Sequence, residues 1–396
     1  MRKLVVRAAF VNLLVALVVA IPRVHAPGPH PAPVAAVEWP LPFASAATWT
    51  HSKFFRATSD GAIEIDYATK YGNAGWTFNA VTTAQYCLAA YAQARGGDPA
   101  MRAAAVRAAR ALVARAVPIG RGEGFRYGFA VGPQRMNPGW VSSMAQGLAM
   151  ACEAGAYALS GDRSFLAHVA RLHRVIVAPY GVNGTAAAFG RGTYYEEYAG
   201  APGAPSHTLN GMLYTLAGLW FANAIDPHAA YAHAFDDGAN AVRSTIDRYD
   251  APGSSLYDQG VKALAPIGGY NMLHVTQLQW LYERTGDAHL QKMALQFFGY
   301  ERRITFVSRL AARRTAQPGG RFLPIRGAVS LTAIFRGPRQ MDRVQIITSE
   351  RTPPPATIVV RAGAIVRTVH PTSRFVDLNF GQRTIGSASI AFVPRP

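Results

Sequence analysis

Between about Trp76 and Arg303, apolar positions recur every three or four residues in long runs separated by turn residues, the signature of amphipathic helices. The pattern predicts helices over Phe78–Arg95, Asp98–Val117, Trp140–Leu159, Ser164–Ala178, Thr208–Ala224, Pro227–Tyr249, Asn271–Thr285 and His289–Arg302. Gly96-Gly97, Gly161-Asp162 and Gly286-Asp287 close three of them. Asp98 followed by Pro99 opens another, with a capping carboxylate and a residue whose missing N–H costs nothing in a first turn. Short links group the eight segments into four αα-hairpins, the unit of an α/α toroid. After Tyr300 the texture changes to short β-branched runs at Ile304–Leu310, Ala328–Arg336, Arg343–Ser349, Thr357–Val369, Arg374–Phe380 and Ser387–Val393. Gly, Pro, Asn and Asp separate them, as in a small antiparallel β-sandwich. The expected fold class is mainly α, a helical toroid followed by a small C-terminal β-sandwich domain.

The N-terminus, MRKLVVRAAFVNLLVALVVAIPRVHA, runs from a basic start through apolar residues to Ala26, the pattern of a secretory signal. Its apolar stretch, Ala8–Ile21, is short against the ~20 residues of a membrane span. Export to a periplasm, the medium or the cell surface is expected, with an uncleaved anchor as the alternative because Pro27 follows the cleavage position. Residues 27–64 read as a Pro-rich linker and extension, 65–303 as the helical domain and 304–396 as the β domain.

With 396 residues and 50% apolar content, the chain can bury one large and one smaller core. Its net charge of +18, carried almost wholly by Arg, concentrates polyanions near the surface. No zinc-finger spacing, clustered basic helix or RNP-type strand points to nucleic acid, and an acidic polysaccharide fits this charge equally well. Nothing in the sequence sets an oligomeric state. Cys87 and Cys152 sit in Ala-rich helical sequence, where buried free thiols are expected and one bridge between neighbouring helices is the alternative. No HExxH, Cys–His or EF-hand spacing, no P-loop and no GxGxxG after a strand occurs, so the expected chemistry uses neither metal nor cofactor.

Four segments combine phenols and polar residues with turn chemistry: GWVSSMAQG (139–147), YYEEY…SHTLNG (194–211), SSLYDQG (254–260) and YNMLHVTQL (270–278). Each precedes or opens a helix, so all four are expected to converge on one end of the toroid. A phenol near its ordinary pKa of about 10 is a poor base in water, but a desolvated cleft lets it act as acid or base. Blander readings stand beside this one. Tyr194 and Tyr195 can pack or stack on sugar, Asp258 can cap a turn, and His207 and His274 can be satisfied core histidines. Glu196 and Glu197 lie in an extended segment and point oppositely, so one of them faces the cleft.

Taken together, GWVSSMAQG, YYEEY…PSHTLNGMLYTLAGLW, SSLYD and YNMLHVTQLQWL resemble, in order and separation, the C-terminal catalytic domain of the heparan sulfate/heparosan D-glucuronyl C5-epimerase family. The likeness is close over about 139–283 and extends over about 65–300. It implies an incomplete α/α toroid and cofactor-free proton exchange at C5 of a glucuronic acid residue within a glucuronan or heparosan-like polymer, giving iduronic acid. Carried over by motif, Glu197, Tyr198, Tyr257 and Tyr270 form the proton-transfer set. Trp140, Gln146, Tyr195, His207, Asn210 and His274 shape the sugar subsites. The sequence departs from the family where an Arg and a His are expected after Tyr257-Asp258; Gly260 and Val261 stand there instead. Lys262 and Arg191 are the candidate replacements for that uronate-binding Arg. A polysaccharide lyase, a glycan-binding homologue without activity, and a hydrolase using Glu197 and Asp258 are the competing readings.

Overall fold

The structure, a computed structural model, describes residues 37–41, 46–50, 54–67, 75–200, 202–251, 253–266, 269–301, 307–308, 329–347, 356–372 and 375–394. The expected signal segment 1–26 lies outside these residues, and so do residues 27–36, 42–45 and 51–53 of the expected linker and extension. No helix among the described residues is long and apolar enough to cross a membrane. The chain divides into two compact units. The first comprises Met1–Ile246, Asp258–Val261 and Thr276–Leu290, the second Asp247–Tyr257, Lys262–Val275 and Gln291–Pro396.

A short helix α1 (Ala46–Thr50) precedes α2 (Ala80–Arg95), α3 (Pro99–Arg115), α4 (Ser143–Ser160), α5 (Ser164–Val177), α6 (Leu209–Ile225), α7 (Ala229–Thr245), α8 (Tyr270–Thr285) and α9 (Ala288–Glu301). Every predicted helix is present. The Asp98 carboxylate accepts the Ala100 and Met101 N–H groups at 2.9 and 3.1 Å, and Pro99 starts α3, as the capping pattern requires. Helix α4 begins later than its apolar pattern suggests, because Ser142 caps it by accepting the Ala145 N–H at 3.2 Å.

The core of the first unit lies along α4 and α6, which are buried on nearly all sides. Gly147 and Gly218 let the two backbones touch, since a Cβ on Gly218 would collide with the Gly147 carbonyl. Helix α5 is one-faced instead. It buries Phe165, His168, Val169, Leu172, Val175 and Ile176 at helical spacing. Cys87 of α2 and Cys152 of α4 form a buried disulfide with Cα atoms 5.7 Å apart. This corrects the expectation of free thiols: adjacent helices bring the two within bridging distance.

Three small antiparallel hairpins, Val117–Ile119 with Gly122–Gly124, Arg126–Tyr127 with Trp140–Val141, and Ala186–Phe189 with Gly192–Tyr195, fill the links between helices. In the second unit, Asp250–Ala251 pairs with Ser254–Ser255, and the described strands after residue 306 form one antiparallel sheet. Its order is Val307–Ser308, Val329–Ile347, Phe375–Pro394, Ala356–Ala362, Ile365–Val369. The run expected as one strand over 357–369 is a hairpin turning at Gly363, whose φ is 59°. Four other expected runs merge pairwise into the two long strands, whose pairing register shifts between Ile334 and Arg339 and between Met341 and Arg343. A second sandwich layer is not among the described residues.

Candidate active site

The first unit positions Glu196, Glu197 and Tyr198 by pairing the segment that carries them on both edges. Glu196 N–H donates to Thr185 O at 2.9 Å, Ser143 N–H donates to Glu196 O at 3.0 Å, and Ala199 and Val141 exchange backbone hydrogen bonds at 2.8 and 2.9 Å. The strand ends at Tyr195 and the chain bends at Glu197 and Tyr198, rather than staying extended as expected, and the two carboxylates take different partners. Glu196 is fully buried, with Oε2 accepting the Ser206 and His207 N–H groups at 3.1 and 2.8 Å and Oε1 2.6 Å from His207 Nδ1. Burial raises its pKa against the opposing pull of His207. The His207 ring stacks on Phe189 at 3.8 Å and takes Tyr194 edge-on at 5.1 Å, with its backbone in the left-handed region at φ 49°. Glu196 and His207 thus fasten the loop that leads into α6.

Glu197 has a different environment. It is 9% exposed, and its Oε2 accepts a long 3.4 Å contact from Asn210 Nδ2. Only glycine fits at position 211 opposite it, because a Cβ there would collide with the Glu197 carboxylate. Two buried phenols feel its charge: burial pushes Tyr127 and Tyr214 well above the ordinary tyrosine pKa, and Glu197 adds to the rise in both. They stay protonated beside the carboxylate. Asn210 Oδ1 and Gln277 Oε1 are buried acceptors with no partner among the described residues, and Gln277 Nε2 donates to Asn210 O at 3.2 Å.

Tyr198 is half-buried, its ring 5.3 Å from that of Trp140. Trp140 stacks on Tyr127 at 4.1 Å and 12°, and its Nε1–H donates to Phe129 O at 2.8 Å. The tryptophan therefore backs an aromatic wall behind Tyr198. Gln146 is fully buried and spends its amide on backbone: Oε1 accepts Phe125 N–H at 3.1 Å, while Nε2 donates to Phe125 O and Ser142 O at 3.2 and 3.0 Å. It holds the strand leading to Tyr127. Tyr195 is buried too, its OH donating to Ala234 O of α7 at 2.9 Å. Arg191 stands exposed at the turn of the 186–195 hairpin, six residues before Glu197, ~20 Å of extended chain at strand rise. Asp258 is buried and caps its own turn, Oδ1 accepting Val261 N–H at 2.5 Å and Oδ2 accepting from Gln134 Nε2 at 3.4 Å.

The second unit holds the other phenols. Tyr257 and Tyr270 are half-buried and meet edge-to-face with ring centroids 4.9 Å apart. Nearby in that unit, Ser255 Oγ lies 2.8 Å from His274 Nδ1 and 2.9 Å from Asn271 Oδ1. His274 is fully buried, and burial pulls its pKa down to about 3. Lys262 is exposed on a left-handed backbone at φ 55°.

Residues 123–299 match the family profile described as D-glucuronyl C5-epimerase C-terminus. That segment belongs to the family. It contains all four motif segments and every candidate site residue. The chain is 28% identical over 180 residues to a D-glucuronyl C5-epimerase of Caenorhabditis elegans, covering 41% of this chain and 29% of the relative. It is 27% identical over 172 residues to an uncharacterized protein of Methanocaldococcus jannaschii, covering 41% of this chain and 53% of the relative. The chain thus spans less than two thirds of either relative. Among solved structures, a UGL variant with dGlcA-Glc-Rha-Glc aligns at TM-score 0.37 and 14% identity over 56% of this chain and 60% of that one. A beta-arabinofuranosidase aligns at TM-score 0.31 and 9% identity over 79% and 58%. Likeness at this level carries no argument here.

Where this C5-epimerase segment departs from the pattern, at Gly260 and Val261, the backbone is held tightly. Gln259 and Gly260 N–H both donate to Ser206 O at 2.9 and 3.1 Å, and Asp258 caps the same turn. Sequence reading missed Tyr127, Tyr214 and Gln277 as neighbours of the carboxylate site. Tyr214 carried a usable signal, lying one helical turn after Asn210 on the same face. Tyr127 and Gln277 come from other elements, and no spacing pointed to them.

Proposed function

We propose that this protein is a uronate C5-epimerase that converts D-glucuronic acid residues of an acidic polysaccharide to L-iduronic acid. The paired helices along the chain support the incomplete α/α toroid that the family resemblance implies. The observation that carries the reading is Glu197. Within the family-matched segment, it is a buried carboxylate beside Asn210 and close enough to the neutral phenols of Tyr127 and Tyr214 to add to their raised pKa, and Tyr198 follows it in the chain. The C5–H of a uronate is acidified by the adjacent carboxyl group, and its removal leaves an enolate-like anion that hydrogen-bond donors stabilise. Inversion needs a base on one face of the ring and an acid on the other. The candidate proton-transfer groups are those of the family motifs, Glu197, Tyr198, Tyr257 and Tyr270, with Lys262 as the candidate replacement cation for the uronate. The chemistry requires no metal or cofactor. The buried Cys87–Cys152 disulfide supports action in an oxidising compartment outside the cytosol.

The test is deuterium incorporation at C5 when the protein acts on glucuronans in heavy water. Tyr198→Phe and Tyr257→Phe each lower exchange at least ~100-fold, the low end of acid–base contributions. Full exchange in both variants would remove these phenols from the mechanism. Accumulation of an unsaturated, ultraviolet-absorbing uronate would instead mark a lyase.

A further inference from the structure

Helix α7 carries, on the face bearing Asp236, Asn240, Arg243 and Ser244, two adjoining surface depressions. The first, about 430 Å³, is lined by Arg191, Asn240, Arg243, Ser244 and Asp287. The second, about 360 Å³, shares Asn240 and Arg243 and adds Arg284, Asp236 and Phe235 among its walls. Both volumes fall within the ~300–1,000 Å³ of ordinary ligand pockets. The lining α7 residues follow the i, i+4, i+7, i+8 spacing of one helix face.

The cations here are held, not merely exposed. Arg243 Nη2 donates to Asn240 Oδ1 at 2.8 Å and its Nε lies 3.3 Å from Asp287 Oδ2, which fixes the guanidinium and spends that carboxylate. Arg191 is presented by a turn that grips α7: its N–H donates to Ser244 Oγ at 2.8 Å, and Gly190 adopts φ +66° where a Cβ would strike Ser244. The Arg191 guanidinium itself has no hydrogen-bond or ion-pair partner among the described residues. Arg284 rests over the Trp220 ring at 5.0 Å and lies 4.0 Å from Glu283. Three guanidinium groups therefore border one groove. Two carboxylates, Asp287 and Glu283, are paired with cations of the groove, and another, Asp236, lies in the second depression.

We propose that this groove is a second saccharide-anion subsite, which binds carboxylate or sulfate groups of polymer residues other than the one undergoing proton exchange. The proposal rests on the acidic-polysaccharide reading above and extends it. Planar guanidinium groups suit both anions because they donate in pairs, and a chain of charge +18 is complementary to such a polymer.

The experiment titrates the full chain with an unsulfated glucuronate polymer and, separately, with a sulfated one, both by calorimetry. The Arg191→Gln/Arg243→Gln double variant is compared with Arg110→Gln, an exposed cation on α3. Circular dichroism confirms that each variant is folded. The expected result is at least about tenfold weaker binding for the double variant and no change for Arg110→Gln. A loss confined to one polymer identifies carboxylate or sulfate as the anion bound. Affinity within twofold of the parent for both polymers overturns the proposal, and so does an equal loss in the Arg110 variant. Equal binding of duplex nucleic acid, weakened equally by the double variant, also overturns it, because the groove would then be a general polyanion surface. Absent C5 exchange with Arg-dependent binding would sink the catalytic reading and leave this subsite standing; exchange with Arg-independent binding would do the reverse.

Discussion

Ser255, Asn271 and His274 fix one another's protons. Asn271 Nδ2 donates to Phe297 O at 2.9 Å and to Glu301 Oε1 at 2.7 Å, so its Oδ1 is the atom that receives the Ser255 N–H and hydroxyl, each at 2.9 Å. An amide oxygen cannot donate, so the Ser255 proton points at Asn271, and His274 Nδ1 must carry the hydrogen it gives to Ser255 Oγ. His274 Nε2 is left as a bare, buried acceptor. Of the two roles open from sequence, the bonded core histidine is the one this geometry describes, although an acceptor nitrogen remains for a ligand hydroxyl. Burial also sets a pH dependence. The folded histidine stays neutral down to about pH 3, whereas an unfolded one protonates below its ordinary value of 6.5. The unfolded state therefore binds the extra proton, and stability falls as pH drops through that window. Between pH 7 and 5 the loss from His274 is about 2 kcal/mol. Urea unfolding at the two pH values should show a correspondingly smaller difference in His274→Asn, and an unchanged pH slope would mean that the folded histidine accepts the proton.

At the scale of elements, helix pairs were legible because their apolar period and Gly-Asp or Asp-Pro punctuation are local properties. Asp98 and Pro99 act at the start of α3 as their types dictate. Strands of two to four residues were not legible, since Arg126–Tyr127 or Trp140–Val141 is too short to show a period of two. Nor could periodicity reveal how closely two helices approach. Gly147 and Gly218 read as weak points in helical sequence, yet they are where α4 and α6 meet. In an exposed helix, Gly→Ala gains about 1 kcal/mol from propensity. Gly218→Ala should reverse that sign and cost about 1–3 kcal/mol, because the added methyl meets backbone that cannot swing away. Gly299→Ala in α9 is the counterpart, with nothing within 4 Å of the new methyl, and should be neutral or stabilising. Urea midpoints of the two variants check this, and a stabilised Gly218→Ala would show that the helices can separate at no cost.

On the scale of the whole molecule, the chain alternates between its two units. The YYEEY segment and Asp258–Val261 belong to the first, and Tyr257 with the start of α8 to the second. No local pattern announces such interleaving, which is why the motif residues could be picked out from the sequence while their grouping could not. The choice between free thiols and a bridge was open for the same reason: Cys87 and Cys152 are 65 residues apart in Ala-rich helices, and only the packing of α2 on α4 makes them neighbours. A loop of that length makes the cross-link consequential, because closing it removes unfolded-state entropy worth about 4 kcal/mol in the chain-entropy account. The Cys87→Ala/Cys152→Ala variant should accordingly unfold at lower urea, by a margin of about 2–4 kcal/mol, since a relaxed native core recovers part of the loss. Alkylation of the denatured, unreduced protein after expression in an oxidising compartment should find no free thiol. Two reactive thiols in folded, stable protein would return the cysteines to simple core packing and remove the structural support for export.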